Sequence, residues 1–259
     1  MNTEILIFIA AGIYGACIGS FMNVCIARIP EKMSIVSPRS YCPSCGSQIK
    51  WYDNIPVISY LILSGKCRQC NKKISIQYPA VEIMTAFFSV YSISSFSFTL
   101  KALAVFIFVS VLIVISFIDL EHKIIPDIIS LPGIPLFFAA GFFIMGWNLK
   151  NLVLGVLVGG GSLYLVALIY YLITKKEGMG GGDIKLLAMI GAFIGYKGVF
   201  FTVFASSLTG TLAGIAFMLL KEKNFKYAIP FGPFLSLGAV IYIFLGKYLI
   251  NVYMNLIIN

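Results

Sequence analysis

No water-soluble fold can hide the apolar runs of this chain. Hydrophobic residues fill 59% of its 259 positions and charged residues only 11%. A helix needs about 20 consecutive apolar residues to cross a bilayer, and the runs here approach or pass that length repeatedly. The pattern predicts an all-α, polytopic membrane protein with about eight transmembrane helices, near 4–27, 80–98, 101–118, 127–146, 151–173, 184–196, 198–220 and 231–252. The sixth run is short for a crossing and reads as tilted, broken or partly re-entrant. The first is too long for the core of a cleaved signal peptide, and no small-residue cleavage site precedes Arg28, so it is expected to remain as an anchor.

Lysine and arginine placement sets the orientation. The segment 28–79 carries Arg28, Lys32, Arg39, Lys50, Lys66, Arg68, Lys72 and Lys73. With eight spans, the loops on its side add Lys123, Lys175, Lys176, Lys185, Lys221, Lys223 and Lys226, against Lys101, Lys150, Lys197 and Lys247 on the other. The positive-inside rule puts 28–79 in the cytoplasm and both termini outside. Anionic headgroups account for the net charge of +9, so no nucleic-acid partner is expected.

The organisation predicted is a first transmembrane helix (1–27), a polar, proline-rich cytoplasmic loop domain (28–79) and a transmembrane bundle (80–259). No internal repeat is visible. Gly15-xxx-Gly19, Gly155-xxx-Gly159 and Gly191-xxx-Gly195 have the spacing of close helix contacts. In a chain with 24 glycines such pairs arise by chance and carry little weight.

The loop domain holds Cys42-Pro43-Ser44-Cys45 and Cys67-Arg68-Gln69-Cys70. Two CxxC turns at this separation approach a zinc-ribbon pattern, each turn supplying two thiolates to a tetrahedral ion. A cytoplasmic loop disfavours disulfides. A closed four-cysteine site leaves no open coordination position, so the expected zinc is structural and holds a ribbon-like loop folded. Four free thiols or a redox pair is the plainer alternative. Cys17 and Cys25 lie in the first run and read as small hydrophobes.

Acidic residues inside or at the edge of apolar runs are costly and mark function. Asp119 closes the run ending Phe117-Ile118, and Asp183 follows Gly178-Met179-Gly180-Gly181-Gly182 and opens the sixth. Two carboxylates at one membrane level cannot both ionise cheaply, so one keeps its proton. The ionised one can draw a proton from water while the other polarises a peptide carbonyl, which is hydrolysis without a covalent enzyme intermediate. The glycines would let a substrate backbone approach closely. Each acid also has an ordinary reading: Asp119 as a headgroup-level helix end, Asp183 as an N-cap. Asp127 after Pro126 reads as a helix cap. His122 reads as an interfacial loop residue; it is the sole histidine, which excludes a histidine-rich catalytic metal site. Lys185 reads as a headgroup contact, or as a tuner of Asp183.

Together these segments resemble the type IV prepilin peptidase family, prepilin leader peptidase/N-methyltransferases of the GxGD membrane aspartic proteases. The resemblance spans nearly the whole chain. It rests on Gly19-Ser20-Phe21-Met22-Asn23-Val24 with Arg28-Ile29-Pro30, on the cysteine loop with Trp51, Asn54-Ile55-Pro56-Val57 and Ser59-Tyr60-Leu61, and on Tyr78-Pro79-Ala80-Val81-Glu82. It rests further on Phe117 to Asp127, on Gly178 to Leu186, and on Pro230-Phe231-Gly232-Pro233-Phe234. Gln77 departs from the arginine often seen before Tyr-Pro.

The resemblance implies that Asp119 and Asp183 form the catalytic pair, supported by Gly180, Gly182 and Lys185. It implies a multi-pass enzyme of the bacterial cytoplasmic (inner) membrane with both aspartates on the cytoplasmic side. Prepilins and pseudopilins would lose a basic leader there, just after a glycine. The new N-terminal amine, usually of phenylalanine, would then be methylated with S-adenosylmethionine as donor. Glu82 is the candidate for that second activity, or a simple helix cap. A transporter with acids near its midplane and a zinc-anchored scaffold without catalysis are the competing classes.

Overall fold

The computed structural model describes residues 3–176, 180–221 and 230–258. The expectations placed on Glu177, Gly178 and Met179, and on Glu222, Lys223 and Lys226, fall outside them. The described helices are α1 (Thr3–Arg28), the short α2 (Ile58–Ile62), α3 (Gln77–Phe96), α4 (Leu100–His122), α5 (Asp127–Phe143), α6 (Leu149–Thr174), α7 (Gly181–Lys221) and α8 (Gly232–Ile258), with a 3-10 turn at Trp51–Asn54. No strand forms among the described residues. The loop domain holds only two isolated bridges, Tyr41 with Gln48 and Lys66 with Lys73.

Among the described residues, five helices, α1, α4, α6, α7 and α8, are long and apolar enough to cross a membrane. α5 falls short at 17 residues, with Pro132 and Pro135 inside it. α3 lies outside the five and buries a polar row, Glu82, Thr85, Ser89 and Ser92. α7 covers 41 residues, about 60 Å if straight and twice the hydrocarbon thickness. It is not straight. Gly195 sits at φ 73, ψ 177, a conformation essentially reserved for glycine. It divides α7 into a first limb, 181–194, and a second, 196–221, close to the boundary read between the sixth and seventh apolar runs.

Two compact units meet within α4: Met1–Val114 and Ile115–Asn259. In the first, α1 lies against α3 through glycine. A Cβ built on Gly15 would stand 2.7 Å from the Thr85 carbonyl oxygen, and one on Gly19 2.7 Å from Glu82 Cα. The spacing given little weight in the sequence is thus a true helix contact. Without a hydrophobic drive inside lipid, close backbone approach is what lets helices gain packing contacts.

In the second unit the first limb of α7 is the core. Leu186 through Ile194 are all buried, as a helix apolar on every face requires. The other two glycine pairs meet here: Gly155 lies on Gly191 and Gly195, and Gly159 lies on Leu187 and Ala188. α5 packs Gly141 near the Ala192 carbonyl and Phe137 edge-on to Phe193, ring centres 5.7 Å apart. α8 lies along the second limb, where the Ser206 hydroxyl donates to the Phe234 carbonyl at 3.0 Å.

Candidate active site and metal centre

Asp119 lies in the last turn of α4 and Asp183 in the first turn of α7, both within the second unit. Asp119 is 5% exposed. Its Oδ2 accepts the backbone N–H of Gly232, the first residue of α8, at 2.9 Å. A helix N-terminus favours a carboxylate at that position. The carboxyls of Asp119 and Asp183 interact electrostatically, so the fold brings together the two acids singled out in the sequence.

Ile125, in the turn after α4, wedges this cluster. Its Cβ would stand 2.8 Å from a Cβ on Gly182, and its Cδ1 3.3 Å from one on Gly232. A Cβ on Gly232 would also stand 2.6 Å from Asp119 Oδ2. The glycines of the motif therefore do different things. Gly182 is bare because Ile125 fills its space. Gly180 and Gly181 face open space, where a substrate backbone could approach.

Lys185 does something the sequence reading did not foresee. Its Nζ donates to both carboxylate oxygens of Asp127, at 2.7 and 2.8 Å. Asp127 is the first residue of α5, after Pro126 as N-cap, and makes no cap bond. The helix-cap reading of Asp127 and the headgroup reading of Lys185 are both replaced by one ion pair linking α5 to α7. His122 ends α4 with Nε2 3.9 Å from Glu121 Oε2.

In the first unit, the ligand atoms of Cys42, Cys45, Cys67 and Cys70 all lie within 4.8 Å of one another, Cys42 and Cys70 Sγ at 3.9 Å. Four sulfurs about 2.3 Å from one tetrahedral zinc stand about 3.8 Å apart, so the cluster fits that ion. The two turns repeat the same backbone geometry. Cys42 N–H donates to the Ser47 carbonyl and Cys67 N–H to that of Lys72, both at 2.9 Å. Gly46 and Asn71 occupy equivalent positive-φ positions, 69° and 57°, which glycine and asparagine tolerate. The Ser47 hydroxyl, 2.9 Å from Cys45 Sγ, holds that thiol down to about 6. Backbone bonds from Cys70 and Gln69 lower Cys67 as well, while burial and the neighbouring sulfurs push Cys70 up to about 11. Thiolate is the form that binds metal.

Glu82 is buried in the same unit, 7% exposed. It does not cap its own helix. Its Oε2 accepts the N–H of Val57, the N-cap of α2, at 2.7 Å, and its carboxylate also bonds Ser20. Val57 has φ 61, which is strained for a β-branched residue. Asn23 Nδ2 donates to the Tyr78 carbonyl at 3.0 Å. The Arg28 guanidinium donates to the carbonyls of Ser34 and Pro38, each at 2.8 Å. Residues quoted from the first-run signature thus tie the loop to the helices.

Residues 13–96 match the Bacterial Peptidase A24 N-terminal domain, and residues 106–215 match the Type IV leader peptidase family. A prepilin leader peptidase/N-methyltransferase of Pseudomonas aeruginosa is 35% identical, covering 93% of this chain and 91% of that protein. The chain belongs to the type IV leader peptidase family. Relatives with the same description from Xanthomonas campestris pv. campestris and Legionella pneumophila are 36% and 32% identical, covering 96% and 98% of this chain and 94% and 97% of theirs. No solved structure matches the chain.

Within this type IV leader peptidase fold, Gly232 is the site residue that sequence reasoning missed. Its signal was present in Pro230-Phe231-Gly232-Pro233-Phe234, but nothing in the sequence says that its amide meets a residue of α4.

Proposed function

We propose that the chain is a bifunctional prepilin leader peptidase and N-methyltransferase whose hydrolytic pair is Asp119 and Asp183. The observation that carries this reading is the buried Asp119, oriented by the Gly232 amide and near enough to Asp183 for the two charges to interact. Such a pair holds one proton between two carboxyls. The ionised carboxylate removes a proton from the attacking water. The protonated carboxyl polarises the scissile carbonyl and then gives its proton to the leaving amine. Gly180 and Gly181 leave room for the substrate backbone beside Asp183, with Gly182 setting the close approach to Ile125.

The substrate in this reading is a prepilin or pseudopilin, cut after a glycine on the cytoplasmic side of the inner membrane. The loop domain 28–79 belongs to the second activity. Zinc on Cys42, Cys45, Cys67 and Cys70 is structural there, since four thiolates fill its coordination. S-adenosylmethionine supplies an electrophilic methyl group when bound. A cleft of about 290 Å³ lined by Arg39, Gln48, Lys50, Trp51 and Tyr52 has room for part of it, offering aromatic faces to the purine or cations to the carboxylate. Glu82, buried against the Val57 amide and Ser20, is the carboxylate assigned to this second activity.

Mass spectrometry of a prepilin co-expressed with this protein tests both activities together. The expected product lacks its leader and carries one added methyl on the new N-terminus. An intact prepilin would overturn the peptidase reading, and a cleaved but unmethylated product the second.

A further inference from the structure

The stretch from Asn54 to Gly65 in the loop domain carries no charge, although Asp53 and Lys66 flank it directly. It contains α2. This helix buries Ser59, whose hydroxyl donates to the Tyr52 carbonyl at 3.0 Å. Its other face turns Ile58, Leu61 and Ile62 outward, 54%, 69% and 72% exposed. Their spacing is i, i+3, i+4, a single stripe along a helix. An apolar stripe left open marks an interaction surface, and the depth of α2 in the fold selects what covers it.

That depth follows from the pairing of α1 with α3, which run antiparallel in one register. Asn23 bonds Tyr78, Gly19 lies on Glu82, and Gly15 lies on Ala86. The Glu82 carboxylate bonds Ser20 and accepts the N–H of Val57, the N-cap of α2, at 2.7 Å. Ser20 stands well short of Arg28, the end of α1, so α2 begins about 10 Å below that end. The apolar span Glu4–Arg28 has 25 residues, about 37 Å against a hydrocarbon layer of about 30 Å. A centred span overhangs the layer by about 4 Å at each end. The start of α2 therefore lies inside the apolar layer. Phe21 of α1 and Ile83 of α3 expose apolar side chains near the same level. A backbone amide at this depth has no water to bond, and Glu82 supplies the acceptor for Val57. The chain then climbs back out: the Gly65 carbonyl accepts the N–H of Ile74 at 2.8 Å, just before α3 begins.

We propose that Asn54 to Gly65 is a re-entrant segment that sets Ile58, Leu61 and Ile62 of α2 against the acyl chains of the adjoining leaflet. Lipid is the occupant because the stripe continues the apolar surface of α1 and α3 at their own depth. Lys66, Lys72 and Lys73 are exposed where the chain leaves the layer, which suits anionic headgroups. The contact holds the cysteine cluster at the membrane surface rather than on a free tether. It stands apart from the peptidase reading and needs only that α1 spans the bilayer.

Tryptophan fluorescence of the full chain in lipid vesicles tests this. A Trp51→Phe, Trp147→Phe parent receives one new tryptophan at a time: Leu61→Trp, Ile62→Trp, or Ser44→Trp in the exposed cysteine turn. In the first two, emission should shift to shorter wavelength and fall when acyl-brominated phospholipids replace ordinary ones. Ser44→Trp should be quenched by aqueous acrylamide and not by bromine. Two positions on one stripe keep the test standing if one variant fails to insert. Quenching of the α2 variants by acrylamide alone would place the stripe in water. Quenching by neither would mean that protein covers it, a second copy or another partner. Either result overturns the proposal, as does equal bromine quenching in all three variants.

Discussion

The amide of Gly232 stands 2.9 Å from Asp119 Oδ2, and a Cβ on Gly232 would stand only 2.6 Å from the same oxygen. The bond and the bare α-carbon are two sides of one requirement: α8 starts against the carboxylate. Gly232→Ala should therefore displace Asp119 while leaving the apolar helices intact. A misplacement of about 1 Å costs about 100-fold in rate. Prepilin cleavage by the purified variant, with membrane yield as control, checks this; wild-type kinetics would remove the positioning role.

Asp119→Asn and Asp183→Asn preserve shape and remove the shared proton. Each is expected to lower cleavage by about 10²–10⁴-fold, the scale of general acid–base catalysis, with the double variant little worse than either. A leader-cleavage assay across the three variants measures it. Full activity in either single variant would end the assignment of the pair.

Cys67→Ser should empty the metal centre, unfold the loop and impair methylation more than cleavage. Metal analysis of the purified protein and the two activity assays read this directly. Acid should do the same to wild type. The Cys45 thiol lies below its ordinary value, so its contribution is present above that value and lost as pH falls through about 6. Bound zinc competes with protons for the same sulfur, so release is expected at or below that pH. Zinc retained in Cys67→Ser would rule out the four-thiolate site.

Glu82→Gln keeps an oxygen for the Val57 amide but loses the charge; Glu82→Ala loses both. If Glu82 takes part in methylation, Gln should reduce methylation with little change in cleavage or thermal midpoint. A tethering role alone would spare Gln and show its loss only in Ala, so the contrast between the two variants decides.

The Lys185–Asp127 pair is partly exposed, so breaking it should cost about 0.2–1 kcal/mol. In a double-mutant cycle, Lys185→Gln and Asp127→Asn should have equal, non-additive effects on thermal midpoint. A pH–rate profile moved by Lys185→Gln and untouched by Asp127→Asn would instead make Lys185 a tuner of Asp183.

Some of the site is written along the chain. Cysteine spacing marks the two turns whose sulfurs cluster, and Asp119 and Asp183 stand out because a charge against an apolar run is costly wherever the run goes. The three glycine pairs were visible but not decidable. Spacing creates the possibility of close approach, and only a partner's backbone at that face makes it a contact, as Gly155 against Gly191 shows. Lys185 was misread for the same reason, since Asp127 is distant in sequence and reaches it only once α5 packs on α7.

Local composition alone determined that this chain is helical and membrane-embedded, because runs of apolar residues must satisfy their own backbone hydrogen bonds in lipid. Tertiary structure decided what each polar group meets: Asp119 the Gly232 amide and Glu82 the Val57 amide. Those are contacts between segments far apart in the chain, and they exist only where helix packing brings the segments together.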